Sequence, residues 1–81
     1  MAWDTVDGKL VKVVKKKDFR QAMAFVNAVA DVAEAADHHP DIAIHWNEVT
    51  LTLWTHTAGG ITDADRALAE QLDRIEGAAT P

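Results

Sequence analysis

The chain has 81 residues, 48% of them hydrophobic and 26% charged, with no cysteine and a formal net charge of −5. This length predicts a single domain over residues 1–81. The absence of cysteine excludes disulfides and thiolate metal sites. Oligomerisation is therefore the remaining source of stability for so small a core. The acidic balance argues against nucleic-acid binding, and the lack of a signal peptide and of a bilayer-spanning apolar run predicts a cytoplasmic protein that does not bind membranes.

The first segment is predicted to form a β-hairpin. Trp3 to Thr5 and Leu10 to Lys15 are the two strands, and Asp7-Gly8 between them is a strong turn signal. We interpret the basic cluster that follows, Lys15 to Lys17, as a solvated strand end or an anion-facing patch rather than a nucleic-acid site.

A long helix is predicted from Phe19 onward, with Asp18 as its N-cap and Gln21 as the capping-box partner. Pro40 is expected to stop it, because the residue before a proline is pushed out of helical dihedrals. Two apolar stripes run along it. One contains Phe19, Met23, Val26, Ala30 and Ala33, and the other contains Phe25, Val29 and Val32. So wide an apolar face predicts burial against both the sheet and another helix.

The second half of the chain repeats this order. Ile42 to Trp46 and Val49 to His56 are predicted strands around a turn at Asn47-Glu48. Within the second strand, one alternating set should face the helices and the other should face away. The inward set is Val49, Leu51 and Leu53, and the outward set is Thr50, Thr52, Trp54 and His56. The exposed face that carries Trp54 points to contacts with partner subunits.

A closing helix is predicted after the loop at Ala58 to Gly60. Thr62 caps it, Asp65 occupies its third position, and residues 76–81 form a frayed tail. An apolar stripe of Leu68, Leu72 and Ile75 marks its buried side. The resulting order, β-β-α-β-β-α, predicts an α+β two-layer sandwich, a four-stranded antiparallel sheet with two helices on one face.

Three of the four histidines are candidates for chemistry, since an imidazole both gives and takes a proton near neutral pH. A single histidine is most often a solvated surface residue. His38 and His39, however, precede Pro40, and a rigid corner that presents two imidazoles indicates function. His56 ends the predicted fourth strand. His45 we interpret as structural or solvent-facing.

Two acidic residues are placed to act on these rings. Glu34 lies four positions before His38, one helical turn back on the same face, where a carboxylate favours a protonated imidazole. Asp65 stands at the position where a helix N-terminus prefers an acidic residue, so a capping role explains it equally well.

These residues together resemble the signature of the pterin-4a-carbinolamine dehydratase family. The resemblance rests on Glu34-Ala-Ala-Asp-His38-His39-Pro40, then Trp46, then Thr55-His56-Thr-Ala-Gly-Gly-Ile-Thr62, then Asp65. The segments around Asp7-Gly8-Lys9-Leu10 and Lys17-Asp18-Phe19 also look like the first hairpin and helix entry of that family. The resemblance covers nearly the whole chain. The sequence departs from the family in two ways. Lys16 stands where an aromatic residue is usual, and the N-terminal helix that many members carry before the first strand is lacking.

The resemblance implies a dehydratase that converts 4a-hydroxytetrahydropterin to quinonoid dihydropterin and water in tetrahydrobiopterin recycling, without a cofactor. It assigns His38 and His56 as the acid–base pair and His39 as a further active-site histidine that binds substrate. It also implies a substrate-binding set in which the acidic residues orient or charge-tune the rings and Trp46 forms a pocket wall. That set is Glu34, Pro40, Trp46, Thr55 and Asp65.

Partners and alternatives follow from the same resemblance. It implies a pterin substrate, a homodimer or homotetramer, and a link to an aromatic amino-acid hydroxylase. One alternative is a non-catalytic protein-binding module on the same fold, a dimerisation or assembly factor, although some such proteins have lost histidines that this chain keeps. The other is a metal site of His38, His39 and His56, which is disfavoured because adjacent histidines rarely aim at one ion.

Overall fold

The strands and helices follow the predicted order in the computed structural model, which describes residues 3–79. The strands are β1 (Asp4–Val6), β2 (Lys9–Lys15), β3 (Asp41–His45) and β4 (Glu48–Leu53), and the helices are α1 (Phe19–Ala36) and α2 (Asp63–Ala79). The four strands form one antiparallel sheet, so the predicted α+β class and element order are confirmed.

The sheet has the spatial order β1-β2-β4-β3, with the short β1 and the exposed β3 at its two edges. Leu10 pairs with Leu53 across the centre, and Leu51 pairs with Ile42 on the other side. Because paired residues point to the same face, this register places the predicted inward set of β4 toward the helices. All three of its residues, Val49, Leu51 and Leu53, are buried as expected.

The core lies between this inward sheet face and the two helices. From α1 it takes Ala22, Phe25, Val29 and Ala33. Helix α1 packs against both β4 and α2, so the predicted burial against the sheet and another helix is confirmed. Burial along the stripe that begins at Phe19 is uneven, because Phe19 is 51% exposed whereas Ala33 is buried.

The β3–β4 turn is one residue earlier than predicted. Trp46 and Asn47 form it, and Trp46 adopts a left-handed backbone with φ 53°. Asn47 is buried and donates from Nδ2 to the carbonyl of Lys16 at 2.9 Å, while the Lys16 amide donates back to the carbonyl of Asn47 at 2.8 Å. This pair of bonds ties the turn to the end of β2 and fixes its register.

The ends of the last strand and helix also differ from the sequence prediction. Strand β4 ends at Leu53 rather than at His56, and beyond it Thr55 forms an isolated bridge with Gly60. Helix α2 includes residues 76–79 of the segment predicted to be frayed, and residues 80–81 lie outside the described part of the chain. Within residues 3–79, neither helix is long and apolar enough to cross a membrane.

A buried lysine connects the sheet to α2. Lys12 points inward from β2, with its side chain 4% exposed, and its Nζ lies 2.6 Å from Asp73 and 2.5 Å from Glu76. Trp3 donates from Nε1 to the same Asp73 carboxylate at 2.9 Å. Burial alone lowers the pKa of Lys12, but the hydrogen bonds and negative charges of the two carboxylates outweigh it and raise that pKa. The sequence interpretation gave Lys12 no role.

Candidate active site

The end of α1 sets the position of two histidines. Asp37 takes a left-handed conformation with φ 52°, and the amide of His38 donates back to the carbonyl of Ala33 at 3.2 Å. Together with the Asp37 amide, this bond satisfies carbonyls that the last turn of a helix leaves free. The chain therefore leaves the helix sharply at Asp37, and Pro40 then keeps His39 extended. The two imidazoles leave this corner in different directions and find different partners.

A tight loop after β4 sets the position of the third histidine. Thr55 accepts a backbone hydrogen bond from Gly59 at 2.9 Å and donates its own amide to Gly60 at 2.9 Å. Gly59 has φ 72°, a conformation that favours glycine over residues with a Cβ. His56 is carried in this closed loop, which faces the corner at the end of α1.

The corner and the loop form the walls of an open pocket of about 460 Å³. Its lining residues are Asp37, His38, His39, Pro40, Asp41, Trp54, Thr55, His56 and Thr57. Three of the four histidines therefore share a pocket, although His56 is distant in the sequence from His38 and His39. His45 is exposed on the edge strand β3 and does not line it.

Asp65 is the centre of the hydrogen bonding behind this pocket. It is 0% exposed, and its two oxygens accept from His38 Nε2 at 2.5 Å, from Thr55 Oγ1 at 2.8 Å and from the amide of Thr62 at 2.8 Å. Burial alone raises the pKa of the Asp65 carboxyl, but the bonds from His38, Thr62 and Thr55 outweigh that effect and lower the pKa. Asp65 therefore holds a negative charge against His38 while also capping α2.

This contact decides the tautomer of His38. A carboxylate only accepts hydrogen bonds, so the short contact with Asp65 requires a proton on Nε2 of the imidazole. In the neutral ring Nδ1 then carries the free lone pair, and in the protonated ring Nδ1 carries the transferable proton. The arrangement keeps one defined nitrogen of His38 free for proton transfer.

Glu34 contacts a different histidine from the one its spacing suggests. Its Oε2 lies 2.6 Å from His39 Nε2, whereas the sequence interpretation paired it with His38. The left-handed turn at Asp37 moves His38 off the helical face that the four-residue spacing assumes. The Glu34–His39 pair is also exposed, with side chains 77% and 56% accessible.

The structure does not bring Trp46 to the pocket. Trp46 is 64% exposed in the β3–β4 turn, at the opposite end of that hairpin from Asp41, which lines the pocket. The aromatic residue in the lining is Trp54 instead, which the sequence interpretation placed on the outer sheet face and assigned to partner contacts. The signal that could have found it is its position two residues before His56.

The predicted substrate-binding residues therefore divide into three groups. Pro40 and Thr55 line the pocket, Glu34 and Asp65 contact its histidines without lining it, and Trp46 lies elsewhere. Among residues 3–79, no cluster of three or more histidine and acidic side chains is arranged to hold a metal ion.

Comparison with known proteins identifies the family of the chain. The family model described as pterin 4 alpha carbinolamine dehydratase matches residues 1–75. A relative from Thermomicrobium roseum, whose name places it among the pterin-4-alpha-carbinolamine dehydratases, is 56% identical over 73 residues, 90% of this chain and 78% of its own. A relative from Cyanothece with the same name is 53% identical over 76 residues, with the same two shares covered.

Two solved structures share the fold. A transcriptional coactivator/pterin dehydratase from Brucella melitensis is 35% identical, with a TM-score of 0.87 over 93% of this chain and 82% of that one. A pterin dehydratase-like protein, identified as a RuBisCO assembly factor in the alpha-carboxysome, is 28% identical, with a TM-score of 0.80 over 95% and 92% of the two chains. The matched residues and these identities place the chain in the pterin 4 alpha carbinolamine dehydratase family.

Proposed function

We propose that the protein dehydrates a 4a-hydroxytetrahydropterin to the quinonoid dihydropterin by histidine acid–base catalysis. The observation that carries this proposal is that His38 and His56 line one pocket, with His38 held in a defined tautomer by the buried Asp65. Membership of the dehydratase family supports the substrate class.

The reaction needs two proton transfers at neighbouring atoms of the substrate. A proton is delivered to the 4a-hydroxyl, the C–O bond breaks, and water leaves. The electron pair of the adjacent N–H bond forms the new C=N bond, and its proton passes to a base. Positioned acid–base groups typically contribute about 10²–10⁴-fold each to such steps. His38 and His56 supply these two roles, one imidazole in its protonated form and the other in its neutral form.

His39 serves substrate binding at the mouth of the pocket. Its ring is more exposed than that of His38, and Glu34 holds its Nε2. Asp37 and Asp41 also line this side of the pocket and offer carboxylate acceptors to the N–H groups of a pterin. We assign His39 to orientation of the ring system and Pro40 to the rigid wall beside it.

Several further assignments belong to this proposal through the family resemblance. They are a role in tetrahydrobiopterin recycling, a substrate supplied by an aromatic amino-acid hydroxylase, a cytoplasmic location and a homodimer or homotetramer. Phe19, an apolar side chain half-exposed at the start of α1, supports self-association. Sedimentation should show a folded oligomer at micromolar concentration, and a folded monomer there would reject that part.

A second function has one observation in its favour. The likeness to the RuBisCO assembly factor makes a non-catalytic protein-binding role a real alternative. The shared pocket of His38, His39 and His56 favours the enzyme, because a protein-binding module does not need three imidazoles around a cavity.

The deciding experiment measures loss of synthetic 4a-hydroxytetrahydropterin with and without the protein. We expect a rate well above the spontaneous rate, unaffected by dialysis against EDTA, and a His45→Ala control with the activity of the wild type. A wild-type rate equal to the spontaneous rate would support the assembly-factor alternative. Activity lost with EDTA and restored by one divalent ion would indicate the metal site instead.

A further inference from the structure

His56 differs from the other two pocket histidines in how its ring is held. His38 is bonded to Asp65 and His39 to Glu34, whereas no described hydrogen bond fixes the imidazole of His56. Its ring instead contacts Trp54, with centroids 3.8 Å apart and planes inclined by 33°. Since the loop that carries His56 is exposed, this ring contact is what defines the direction of its imidazole.

Trp54 is itself held by a contact with Lys9 of the neighbouring strand β2. Lys9 begins β2 next to Leu10, which pairs with Leu53 of β4, and Lys9 Nζ lies 4.4 Å from the centre of the Trp54 indole. The distance is typical of a cation–π contact, so the lysine braces the ring on β2. Trp54 thereby connects a residue of the rigid sheet to a histidine of a loop.

The state of the indole N–H indicates that Trp54 contributes its ring surface, and not a hydrogen bond from Nε1, to this site. Trp54 Nε1 is buried, and among the described residues it has no hydrogen-bond partner. A buried tryptophan usually finds an acceptor for this group, so leaving it unpaired is unfavourable. A large flat surface that supports His56 accounts for a tryptophan here.

We infer that Trp54 is a positioning residue for His56, holding its imidazole toward the pocket by ring stacking. The inference rests on the proposed function, and it adds a residue that the sequence analysis assigned to partner contacts. An aromatic face also attracts a protonated imidazole, so the stack supports His56 in both states of a proton-transfer cycle. Trp54 acts through His56, and its loss should therefore affect kcat more than KM.

The test combines NMR and kinetics on Trp54→Leu, Trp54→Phe and a control, Val13→Ala, which alters an exposed residue of the same sheet face. In the wild type, the indole ring current should shift the ring protons of His56 upfield of those of the exposed His45. The shift should be lost in Trp54→Leu and partly kept in Trp54→Phe. In the dehydration assay, Trp54→Leu should lower kcat by about 10–10²-fold, as expected for a misplaced catalytic group, with little change in KM. Trp54→Phe should restore most of the rate, and Val13→Ala should match the wild type.

Three results would overturn the inference. They are wild-type His56 protons without an upfield shift, a folded Trp54→Leu variant with wild-type kcat, and a loss of kcat with unchanged His56 shifts. The first needs no variant, so the inference stays testable if Trp54→Leu fails to fold. If the wild-type protein shows the upfield shift but no dehydration above the spontaneous rate, the proposed function is wrong and the ring contact between Trp54 and His56 still stands.

Discussion

His38 donates from Nε2 to Asp65 Oδ1 over 2.5 Å, although 27 positions separate the two residues in the chain. The contact joins the end of α1 to the start of α2 and places a buried negative charge against a pocket histidine. Because Thr55 and the Thr62 amide bond the same carboxylate, the His56 loop, the helix cap and His38 share one hydrogen-bond network.

Replacing Asp65 by asparagine should lower kcat while keeping most of the fold. An amide can donate to Nε2 of His38 and so favour the opposite tautomer, with the proton on Nδ1. We expect kcat to fall by up to about 10²–10⁴-fold, the full contribution of a positioned acid–base group. Steady-state kinetics measure the effect, with circular dichroism as the check on folding. The matched control is Asp63→Asn in the same helical turn, and equal kcat values for the two variants would contradict the assignment.

The same carboxylate should make the folded state sensitive to acid. Its pKa is lowered in the folded protein, so between that value and the ordinary pKa of about 3.9 the unfolded state binds more protons. The free energy of unfolding should therefore fall as pH decreases below about 4, and the contribution is fully present above it. Urea unfolding between pH 5 and pH 2 measures this slope. Asp65→Asn should show a shallower slope, and parallel curves for the two proteins would exclude Asp65 as a cause.

Lys12 should stabilise the packing of α2 on the sheet. Lys12→Met keeps the apolar stem but removes the charge between Asp73 and Glu76, whose carboxylates are themselves partly solvated. We expect the free energy of unfolding to fall by about 1.5–3 kcal/mol, the range for a lost hydrogen bond to a charged group. Lys17→Met, at an exposed position before α1, is the control and should change little. A Lys12→Met variant as stable as the control would mean that solvation of the two carboxylates compensates for the lysine.

His39 should affect substrate binding more than the chemical step. His39 forms an exposed pair with Glu34 at the pocket mouth. From there it should bind the substrate equally well in the ground state and the transition state. His39→Ala should therefore raise KM and leave kcat within a few fold, because binding lost equally from both states does not change the barrier from the bound complex. A fall in kcat as large as that of the His38 variant would move His39 into the acid–base pair.

The fold was predictable because its signals are local. Alternation in β4, the Asp7-Gly8 turn and the Asp18 cap each depend on a few neighbouring residues, and the structure keeps all three. Lys12 shows the limit. Its place on the inward face of β2 follows from alternation, but its partners are on a helix about 60 residues later in the chain. Spacing along the chain does not reveal that contact.

Within the candidate site, the sequence located the histidines but not all of their partners. The four-residue spacing from Glu34 assumes that the helix continues to His38, and the left-handed residue Asp37 ends it first. The family resemblance assigned Trp46 to the pocket wall, whereas the outward strand position of Trp54 assigned that residue to partner contacts. Strand β3 carries Trp46 to the far end of the hairpin, whereas β4 returns Trp54 to the corner.

The central claim is that His38 and His56 act together on one bound pterin, and the dehydration rates of their alanine variants test it most directly. Each single variant should lower kcat by roughly one to four decades, the usual range for acid–base groups. The double variant should lose less than the product of the two, because groups that act as a unit are not additive. Folded His38→Ala and His56→Ala proteins that keep the wild-type kcat would contradict the account, and the pocket would then belong to a binding module on a dehydratase fold.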